Sequence, residues 1–455
     1  MHTLEQLRSG ELSGARRLTL SENLISFPLE ILSLKDSLEV LDLSGNQLSE
    51  LPDALAECRK LRIIFCSENN FTRLPEVLGS CPALTMVGFK ANRIREVPAV
   101  ALPANLRWLV LTDNQIETLP DALGQCHQLQ KLMLSGNRLE GLPASLANCQ
   151  RLELVRLAAN RLSALPAWLL KLPRLSWLAF AGNPCCEPPR RTETVTSIPW
   201  AELTLGEQLG EGASGRIISA NWQQASSLQP VAVKCFKGDM TSDGLPQSEM
   251  AAALAAGHHP GLIELVGEIG DHPAGVPALV MALIATEFSV LSGPPSLDSC
   301  TRDIYDPGFT LSLPAMLGIA EQVASVAAHL HSRGILHGDL YGHNILHDGR
   351  GGALLGDFGA ASFYVAGSSS GAALERLEVR AFGCLLEELM AHCQLPVSLR
   401  NELTVLMHDC LQEVVTARPD FASVHARLVR MVSSAWGVAS TSVGEIVEAD
   451  SVLTG

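Results

Sequence analysis

The chain has 455 residues, 47% of them hydrophobic, and a formal net charge of −15 at pH 7. A chain of this length is too long to fold around a single hydrophobic core, so we expect at least two domains. The charge is uneven, because residues 1–199 carry 21 basic and 20 acidic side chains whereas residues 200–455 carry 12 and 28. Such an acidic second half would repel a phosphate backbone, which excludes nucleic acid as an expected partner.

Apolar stretches and cysteines indicate the compartment. No charged and then apolar signal segment opens residues 1–20, and the apolar stretches at 276–285 and 311–330 are too short or too interrupted to cross a bilayer. Four cysteines each precede by three residues a leucine that starts a repeat, namely Cys58, Cys81, Cys126 and Cys149. They are typical of small buried apolar side chains. We expect no membrane span, no disulfide framework and a cytoplasmic location.

The first half of the chain repeats one pattern. It reads Leu38-x-x-Leu41-x-Leu43-x-x-Asn46-x-Leu48 and recurs every 22 or 23 residues. Its asparagines are Asn23, Asn46, Asn69, Asn92, Asn114, Asn137, Asn160 and Asn183. This template, with its Leu-Pro pairs, resembles leucine-rich repeats. The resemblance predicts an α/β leucine-rich-repeat solenoid of eight repeats over residues 1–184, whose asparagines bond backbone groups where each strand turns.

Strand alternation assigns two rows of residues to the concave face of this solenoid. One row reads Val40, Ile63, Met86, Trp108, Lys131, Leu154 and Trp177, and its neighbour reads Asp42, Phe65, Gly88, Val110, Met133, Arg156 and Ala179. The rows are more apolar than most exposed surfaces, and tryptophan often anchors interfaces. We therefore expect a protein or peptide to bind Val40, Ile63, Phe65, Met86, Trp108, Met133, Leu154 and Trp177. The alternative is that the second half of the chain covers this face.

Composition divides the rest of the chain. Residues 185–199 contain Pro188-Pro189 and Arg190-Arg191, which predicts an end cap and a short, stiff linker. A second domain is expected over residues 200–436. Residues 437–455 are small or acidic and lack apolar periodicity, which predicts a disordered tail.

The second half carries five motifs in a fixed order. They are Gly210-Glu211-Gly212-Ala213-Ser214-Gly215, Val231-Ala232-Val233-Lys234, Glu249, His337-Gly338-Asp339 with Asn344, and Asp357-Phe358-Gly359. Each alone is a weak signal, but the set at these spacings is hard to obtain by chance. With Glu378 to Gly383 and Arg418-Pro419, the motifs resemble a eukaryotic-type serine/threonine protein kinase. The resemblance predicts a bilobal α+β protein-kinase-like domain, and its pairing with Leu-Pro repeats in a lysine-poor chain resembles a bacterial leucine-rich-repeat kinase.

The resemblance implies an ATP site. Glycines at Gly210, Gly212 and Gly215 would let backbone amides approach the phosphates. Lys234 would hold the first two phosphates while it pairs with Glu249. The remaining nucleotide contacts would come from Ile217, which follows the glycines, from Ala232 and Leu283 on the two faces of the adenine, and from Met281 behind it.

The resemblance also implies a catalytic set made of Asp339, Lys234 and Asn344. Asp339 would orient the attacking hydroxyl or accept its proton. Asn344 and Asp357 would hold Mg²⁺ through oxygen ligands. We therefore expect ATP and Mg²⁺ as cofactors, and phosphate transfer to serine or threonine of a protein recruited by the repeats.

The chain departs from the family pattern around this set. Gly338 replaces the arginine that usually precedes the catalytic aspartate, and Tyr341 replaces a lysine that steadies the phosphate, a role for which His343 is the candidate substitute. Only 21 residue steps separate Asp357 from Glu378, without an Ala-Pro-Glu motif between them, so the peptide-docking platform is short. Arg418 then lacks the glutamate with which it usually pairs.

Two alternative functions stay open. A pseudokinase scaffold would keep ATP as a stabiliser of the fold, although retention of Lys234, Asp339, Asn344 and Asp357 argues against it. A small-molecule phosphotransferase of the aminoglycoside or choline type would share the His-Gly-Asp-Leu motif and the missing Ala-Pro-Glu. Against this second alternative stand the glycine-rich loop and a repeat domain that a small substrate would not require.

Overall fold

The computed structural model describes residues 2–448, apart from 187–195, 213, 225–226, 239 and 242. Most of the predicted linker, 185–199, and the last residues of the predicted tail, 449–455, lie outside the described residues. The described chain forms a repeat domain followed by a domain of two lobes.

The repeat domain is built on one parallel sheet whose eight strands follow one another in chain order. A short helix, α1 (Leu4–Arg8), precedes it. The strands are β1 (Arg17–Thr19), β2 (Val40–Asp42), β3 (Ile63–Phe65), β4 (Met86–Gly88), β5 (Trp108–Val110), β6 (Lys131–Met133), β7 (Leu154–Arg156) and β8 (Trp177–Ala179). The two predicted rows run in register across the sheet. Val40 pairs with Ile63, and the row continues to Trp177, whereas Asp42 pairs with Phe65, and that row continues to Ala179.

A ladder of buried asparagines holds the repeats together. Asn46 donates its amide hydrogens to the carbonyls of Leu20 and Leu43 at 2.8 Å, and its oxygen accepts from the N–H of Leu24 at 2.9 Å. The later repeats use the same bonds, but Asn23 is exposed, since it belongs to the first repeat and has no preceding turn to join. The convex side carries short 3₁₀ helices rather than α-helices, and most begin directly after a proline.

The upper lobe of the second domain is a five-stranded antiparallel sheet with one helix, α2 (Pro246–Ala256). Its strands are β9 (Leu203–Glu211), β10 (Gly215–Gln223), β11 (Leu228–Phe236), β12 (Leu265–Ile269) and β13 (Ala278–Ala282), in the order β12-β13-β11-β10-β9. A small apolar core of its own includes Ile198, Val231, Val233 and Val280. The sheet therefore has a core of its own, whereas Ala252 and Ala256 of α2 belong to the larger core of the chain.

The lower lobe is mainly helical. Its elements are β14 (Ser289–Val290), α3 (Leu313–Ser332), β15 (Ile335–Leu336), β16 (Ile345–His347), β17 (Ala353–Leu355), β18 (Ser362–Phe363), α4 (Ser369–Ala391), α5 (Val397–Cys410) and α6 (Phe421–Glu448). The last helix, which ends at Glu448, enters the segment from residue 437 for which disorder was predicted. Within the described residues, α3 alone is long and apolar enough to cross a membrane, and 56% of its apolar window is buried inside the protein.

The repeat domain and the lower lobe share one apolar core. Leu178 and Phe180 of the last repeat belong to the same buried cluster as Leu336 and Phe382 of the lower lobe. The concave end of the repeat sheet thus lies directly against the second domain.

Candidate active site

A cavity of about 260 Å³ lies between the upper sheet, α2 and the start of the lower lobe. Seven of the residues predicted to bind nucleotide or metal line it: Gly212, Gly215, Ile217, Lys234, Glu249, Met281 and Asp357. Its size is near the lower end of the range for ligand pockets. The lining therefore unites the glycine-rich turn, the strand lysine and the acidic motif at one place.

The lysine of this cavity is held by a helix acid. Lys234 on β11 forms an ion pair with Glu249 in the first turn of α2. Burial raises the pKa of Glu249 against the opposing effect of Lys234, and its Oε2 atom has no hydrogen-bond partner among the described residues. The predicted pairing is present, and it directs the Lys234 ammonium into the cavity.

The three predicted glycines differ in what requires them. A Cβ atom at Gly210 or Gly212 would meet no atom within 4 Å, which leaves open space beside the turn between β9 and β10. A Cβ atom at Gly215 would lie 2.5 Å from the carbonyl oxygen of Cys235 on the neighbouring strand. Gly215 is therefore required by strand packing, whereas Gly210 and Gly212 leave room for a ligand.

Two predicted adenine contacts lie outside the cavity lining. Ala232 is buried in β11, and Leu283 is 41% exposed just beyond β13. Sequence reasoning missed Leu355 of β17, which lines the cavity with Met281. Leu355 could have been predicted from the sequence, because it stands two residues before Asp357 at the end of a short apolar strand.

The catalytic loop after β15 is fixed by buried polar contacts. Gly338 donates its N–H to Glu378 Oε1 at 2.7 Å, and Glu378 Oε2 lies 2.7 Å from His331 Nε2. The Asn344 amide donates to the backbone oxygen of Asp339 at 2.9 Å and to its Oδ2 at 2.8 Å. Glu378 therefore replaces the usual aspartate of the large helix, and Asn344 orients Asp339.

The metal assignment rests on Asn344 and Asp357. Asp357 has a φ of +52° and faces the cavity, and Gly356 donates its N–H to the Asn344 carbonyl at 2.9 Å, which ties the two segments together. Among the described residues, no group of three or more His, Cys, Asp and Glu side chains could hold a metal. Mg²⁺ beside a nucleotide needs only one or two protein ligands, because phosphates and water complete its shell. The pair fits that requirement.

An arginine of the repeat domain reaches Asp339, the predicted catalytic aspartate. Arg156 on β7 donates through Nη2 to Asp339 Oδ1, through Nη1 to the Gly338 carbonyl at 3.0 Å, and through Nε to Asp243 Oδ1 at 2.6 Å. Burial alone would raise the pKa of Asp339, but Arg156 and then His343 hold it below its usual value. Sequence reasoning placed Arg156 on the concave face without a role, although a cation in an apolar row was a signal.

A tryptophan of the repeat domain covers the same loop. The ring of Trp177 stacks on Tyr341 with centroids 4.3 Å apart and planes 7° apart, and its indole N–H donates to the Leu340 carbonyl at 3.1 Å. Trp177 is 1% exposed. The expectation that an external partner binds Trp177 is therefore wrong for this arrangement, in which the second half of the chain covers that end of the face.

The other predicted partner residues differ along the sheet. Leu154 and Met133, near Trp177, are buried, as are Ile63 and Met86. Val40, Phe65 and Trp108 are partly exposed. The accessible part of the concave face thus lies toward its N-terminal end.

His343 connects a second acid to the catalytic aspartate. Its Nδ1 atom lies 2.7 Å from Asp303 Oδ1, and its Nε2 atom lies 4.0 Å from Asp339 Oδ2. Burial lowers the pKa of His343, but the hydrogen bond and charge of Asp303, with Asp339 beyond, raise it above 6.5 overall. The protonated form of His343, which this shift favours, therefore places positive charge beside Asp339.

The repeat domain also contacts the shortened segment between Asp357 and α4. Phe180 donates its N–H to Ser362 Oγ at 2.8 Å, and α4 begins only a few residues later, at Ser369. Arg418, which lacks its usual glutamate, donates to the Pro173 carbonyl of the repeats at 2.7 Å and to two carbonyls of the lower lobe. Backbone of the repeats therefore serves as a partner for this arginine.

Comparison with known families agrees with this arrangement. Residues 203–380 match the family described as protein tyrosine and serine/threonine kinase. Residues 82–139 and 37–58 match leucine-rich-repeat families. The chain thus contains leucine-rich repeats followed by a protein kinase domain.

Individual relatives are similar to part of the chain. Fibroblast growth factor receptor 1 of Pleurodeles waltl is 26% identical over 285 residues, 51% of this chain and 35% of that protein. CBL-interacting protein kinase 22 of Oryza sativa subsp. japonica is 33% identical over 37% of this chain and 38% of its own length. The tyrosine-protein kinase Srms of Homo sapiens is 25% identical over 54% and 55%. The chain spans between about a third and about half of these relatives.

Proposed function

We propose that this protein is an ATP-dependent kinase that phosphorylates serine or threonine of a protein partner. The observation that supports this proposal best is the convergence of Lys234, Glu249 and Asp357 on one cavity. Asn344, which orients Asp339, is joined to the segment of Asp357 by the hydrogen bond from the Gly356 N–H. The set matches the parts that phosphoryl transfer by protein kinases requires. The similarity to both tyrosine kinases and another class of protein kinase supports the protein-kinase activity more strongly than the choice of acceptor.

The cavity fits a Mg²⁺-bound nucleotide. Gly210 and Gly212 leave space beside the turn, and the Lys234 ammonium, positioned by Glu249, supplies the donor and the positive charge where phosphates would be held. Asn344 and Asp357 would hold the metal. Mg-ATP supplies the phosphoryl group and a cation that balances its charge. The residues of this chain orient the acceptor hydroxyl and take its proton at Asp339.

The repeats would recruit the partner through the accessible N-terminal part of their concave face. Val40, Phe65 and Trp108 give that part an apolar character suited to a protein surface. All twelve cysteines are free thiols, which supports a reducing compartment. From these features, and from the resemblance of the Leu-Pro repeats and lysine-poor composition to a bacterial leucine-rich-repeat kinase, we infer a bacterial, cytoplasmic kinase with its substrate bound on the repeats.

An ATP-binding scaffold is the second candidate. The specific observation in its favour is the Arg156 contact, because it occupies an oxygen of the residue that would serve as the base. A scaffold of this kind would bind nucleotide without transferring phosphate.

Transfer of labelled phosphate from Mg-ATP to proteins of a cell extract tests the proposal. We expect label on protein with wild type and a loss of at least about a hundredfold with Asp339→Asn, since a positioned base contributes about 10²- to 10⁴-fold. Asp306→Asn, at an exposed aspartate of the same domain, should retain transfer. Acid hydrolysis of the product should release phosphoserine or phosphothreonine. Phosphotyrosine would overturn the acceptor class, and bound ATP without transfer would favour the scaffold.

A further inference from the structure

The acceptor side of the active site is closed by the chain itself. Arg156 binds Asp339 Oδ1 while Asn344 binds Oδ2, so both oxygens of the proposed base already accept hydrogen bonds. A hydroxyl must come within about 2.6–3.2 Å of such a base to lose its proton. The Arg156 side chain is only 2% exposed and the Asp339 side chain 16% exposed, so the proposed base is largely covered against an incoming hydroxyl.

Trp177 closes the remaining approach. It stacks on Tyr341, two residues after Asp339, and donates to the Leu340 carbonyl. Phe180 binds Ser362 nearby, at the segment where a kinase would present its acceptor. The repeats therefore occupy the place of an acceptor protein along the whole catalytic loop.

The nucleotide side has the opposite character. Every residue that lines the cavity belongs to the second domain, from Gly212 to Gly359. Closure by the repeats therefore leaves ATP binding possible while it blocks the acceptor.

We propose that the repeat domain is a built-in inhibitor of the kinase domain, and that Arg156 and Trp177 form the inhibitory contact. This inference rests on the proposed kinase function, and it assigns a means of regulation to the same site. In this arrangement the protein binds nucleotide, but an acceptor cannot reach Asp339 to receive the phosphoryl group until the repeat domain separates from the kinase domain.

The contact joins domains that share an apolar core, but it also buries polar atoms that lack partners. Tyr341 Oη and Arg380 Nε, on side chains that contact the repeats, have no hydrogen-bond partner among the described residues. Unpaired buried polar atoms cost free energy that exposure to water recovers. Separation of the domains would therefore recover part of what it loses in ion pairs and stacking.

Initial rates of phosphate transfer from Mg-ATP to myelin basic protein test the inference in the full chain. We expect Arg156→Ala to raise the rate at least about tenfold, because removal of one partner of a buried ion pair strongly disfavours the closed state. Trp177→Ala should also raise the transfer rate, and this second variant keeps the test informative if Arg156→Ala fails to fold. Arg161→Ala, at an exposed arginine of the same repeat, should leave the rate within about twofold. The double variant Arg156→Ala, Asp339→Asn should be inactive.

Hydrogen exchange gives a readout that does not depend on activity. Amides of Leu340 to Asn344 should exchange at least about tenfold faster in Arg156→Ala, while those of β3 should not change. Transfer by wild type that neither variant increases would overturn the inhibitory role and leave the kinase function intact. Nucleotide binding without transfer by any variant would overturn the kinase function and the inference with it. Unchanged exchange in both variants would also count against the inhibitory contact.

Discussion

At the residue scale, charge around Asp339 is balanced from two directions. Arg156 approaches from the repeats, and His343 approaches from the catalytic loop with Asp303 behind it. Tyr341, which stands in place of a lysine, brings no charge and is used instead as a stacking surface for Trp177. Cations supplied by other residues therefore surround the aspartate where the usual arginine and lysine are missing.

His343 makes stability depend on pH. Its pKa lies above 6.5 in the folded chain, so its protonated form contributes stability that is complete below pH 6.5 and is lost as the pH rises through the folded pKa. The groups that face it are Asp303, Asp339, Asp357 and the Tyr341 ring. We expect His343→Gln to remove this part of the decline in the free energy of unfolding, as measured by chemical denaturation at a series of pH values.

The control for this experiment is His408→Gln, at an exposed histidine on α5. That variant should follow the wild-type pH profile, because the substitution lies on the surface. If His343→Gln showed the same dependence of stability on pH as the wild type, that result would contradict the charge assigned to His343.

At the element scale, α4 fixes the catalytic loop to the core of the lower lobe. Glu378, 1% exposed on this helix, accepts from the Gly338 N–H and bonds His331 on α3. Burial raises the pKa of Glu378, but His331, His337 and the Gly338 N–H together hold it below its usual value, which favours a buried carboxylate. One side chain therefore joins the loop to both helices.

Removal of this carboxylate should be costly. Glu378→Ala leaves the Gly338 N–H and His331 without their partner, and we expect a loss of about 3–5 kcal/mol in the free energy of unfolding, measured by denaturant titration. Glu387→Ala, on the same helix but in a half-exposed pair with Arg302, should cost less than about 1 kcal/mol. Equal losses for the two variants would show that Glu378 is not a structural anchor.

At the scale of the whole molecule, the repeats and the lower lobe pack as one body. They share a continuous apolar core, and hydrogen bonds such as Arg418 to Pro173 and Arg380 to Ser176 join them. The upper lobe keeps a smaller core of its own. The packing units therefore differ from the sequence domains, because the lower lobe packs with the repeats rather than with the upper sheet of its own domain.

This division predicts the order of unfolding. We expect the repeats and the lower lobe to unfold in a single calorimetric transition and the upper lobe to lose exchange protection first. Mg-ATP should protect the upper lobe, since the residues that would bind it are mostly there. Hydrogen exchange at increasing temperature can monitor the repeats and α3 separately. If they unfolded in separate transitions, the repeats and the lower lobe would not form one cooperative unit.

Sequence reasoning reached the elements of this molecule but not their assembly. The repeat period determines which residues share a strand row, so both concave rows could be predicted, and the spacing of Lys234, Asp339 and Asp357 identified the site. The contacts of Arg156 with Asp339 and of Trp177 with Tyr341 depend on how two distant surfaces fit. No local periodicity encodes that fit, which is why the cover over Trp177 was considered and not preferred.

Gly338 restricts which residues the chain can carry at this position. Its φ is +74°, and a Cβ atom there would lie 2.6 Å from the Ala360 carbonyl oxygen and 2.7 Å from the Leu178 carbonyl oxygen of the repeats. Substitution of Gly338 by arginine, which other kinases carry there, would collide with the docked repeats as well as strain the loop. The residue at position 338 and the docking of the repeats are therefore coupled: an arginine can be introduced there only if the two domains separate and the loop changes its conformation.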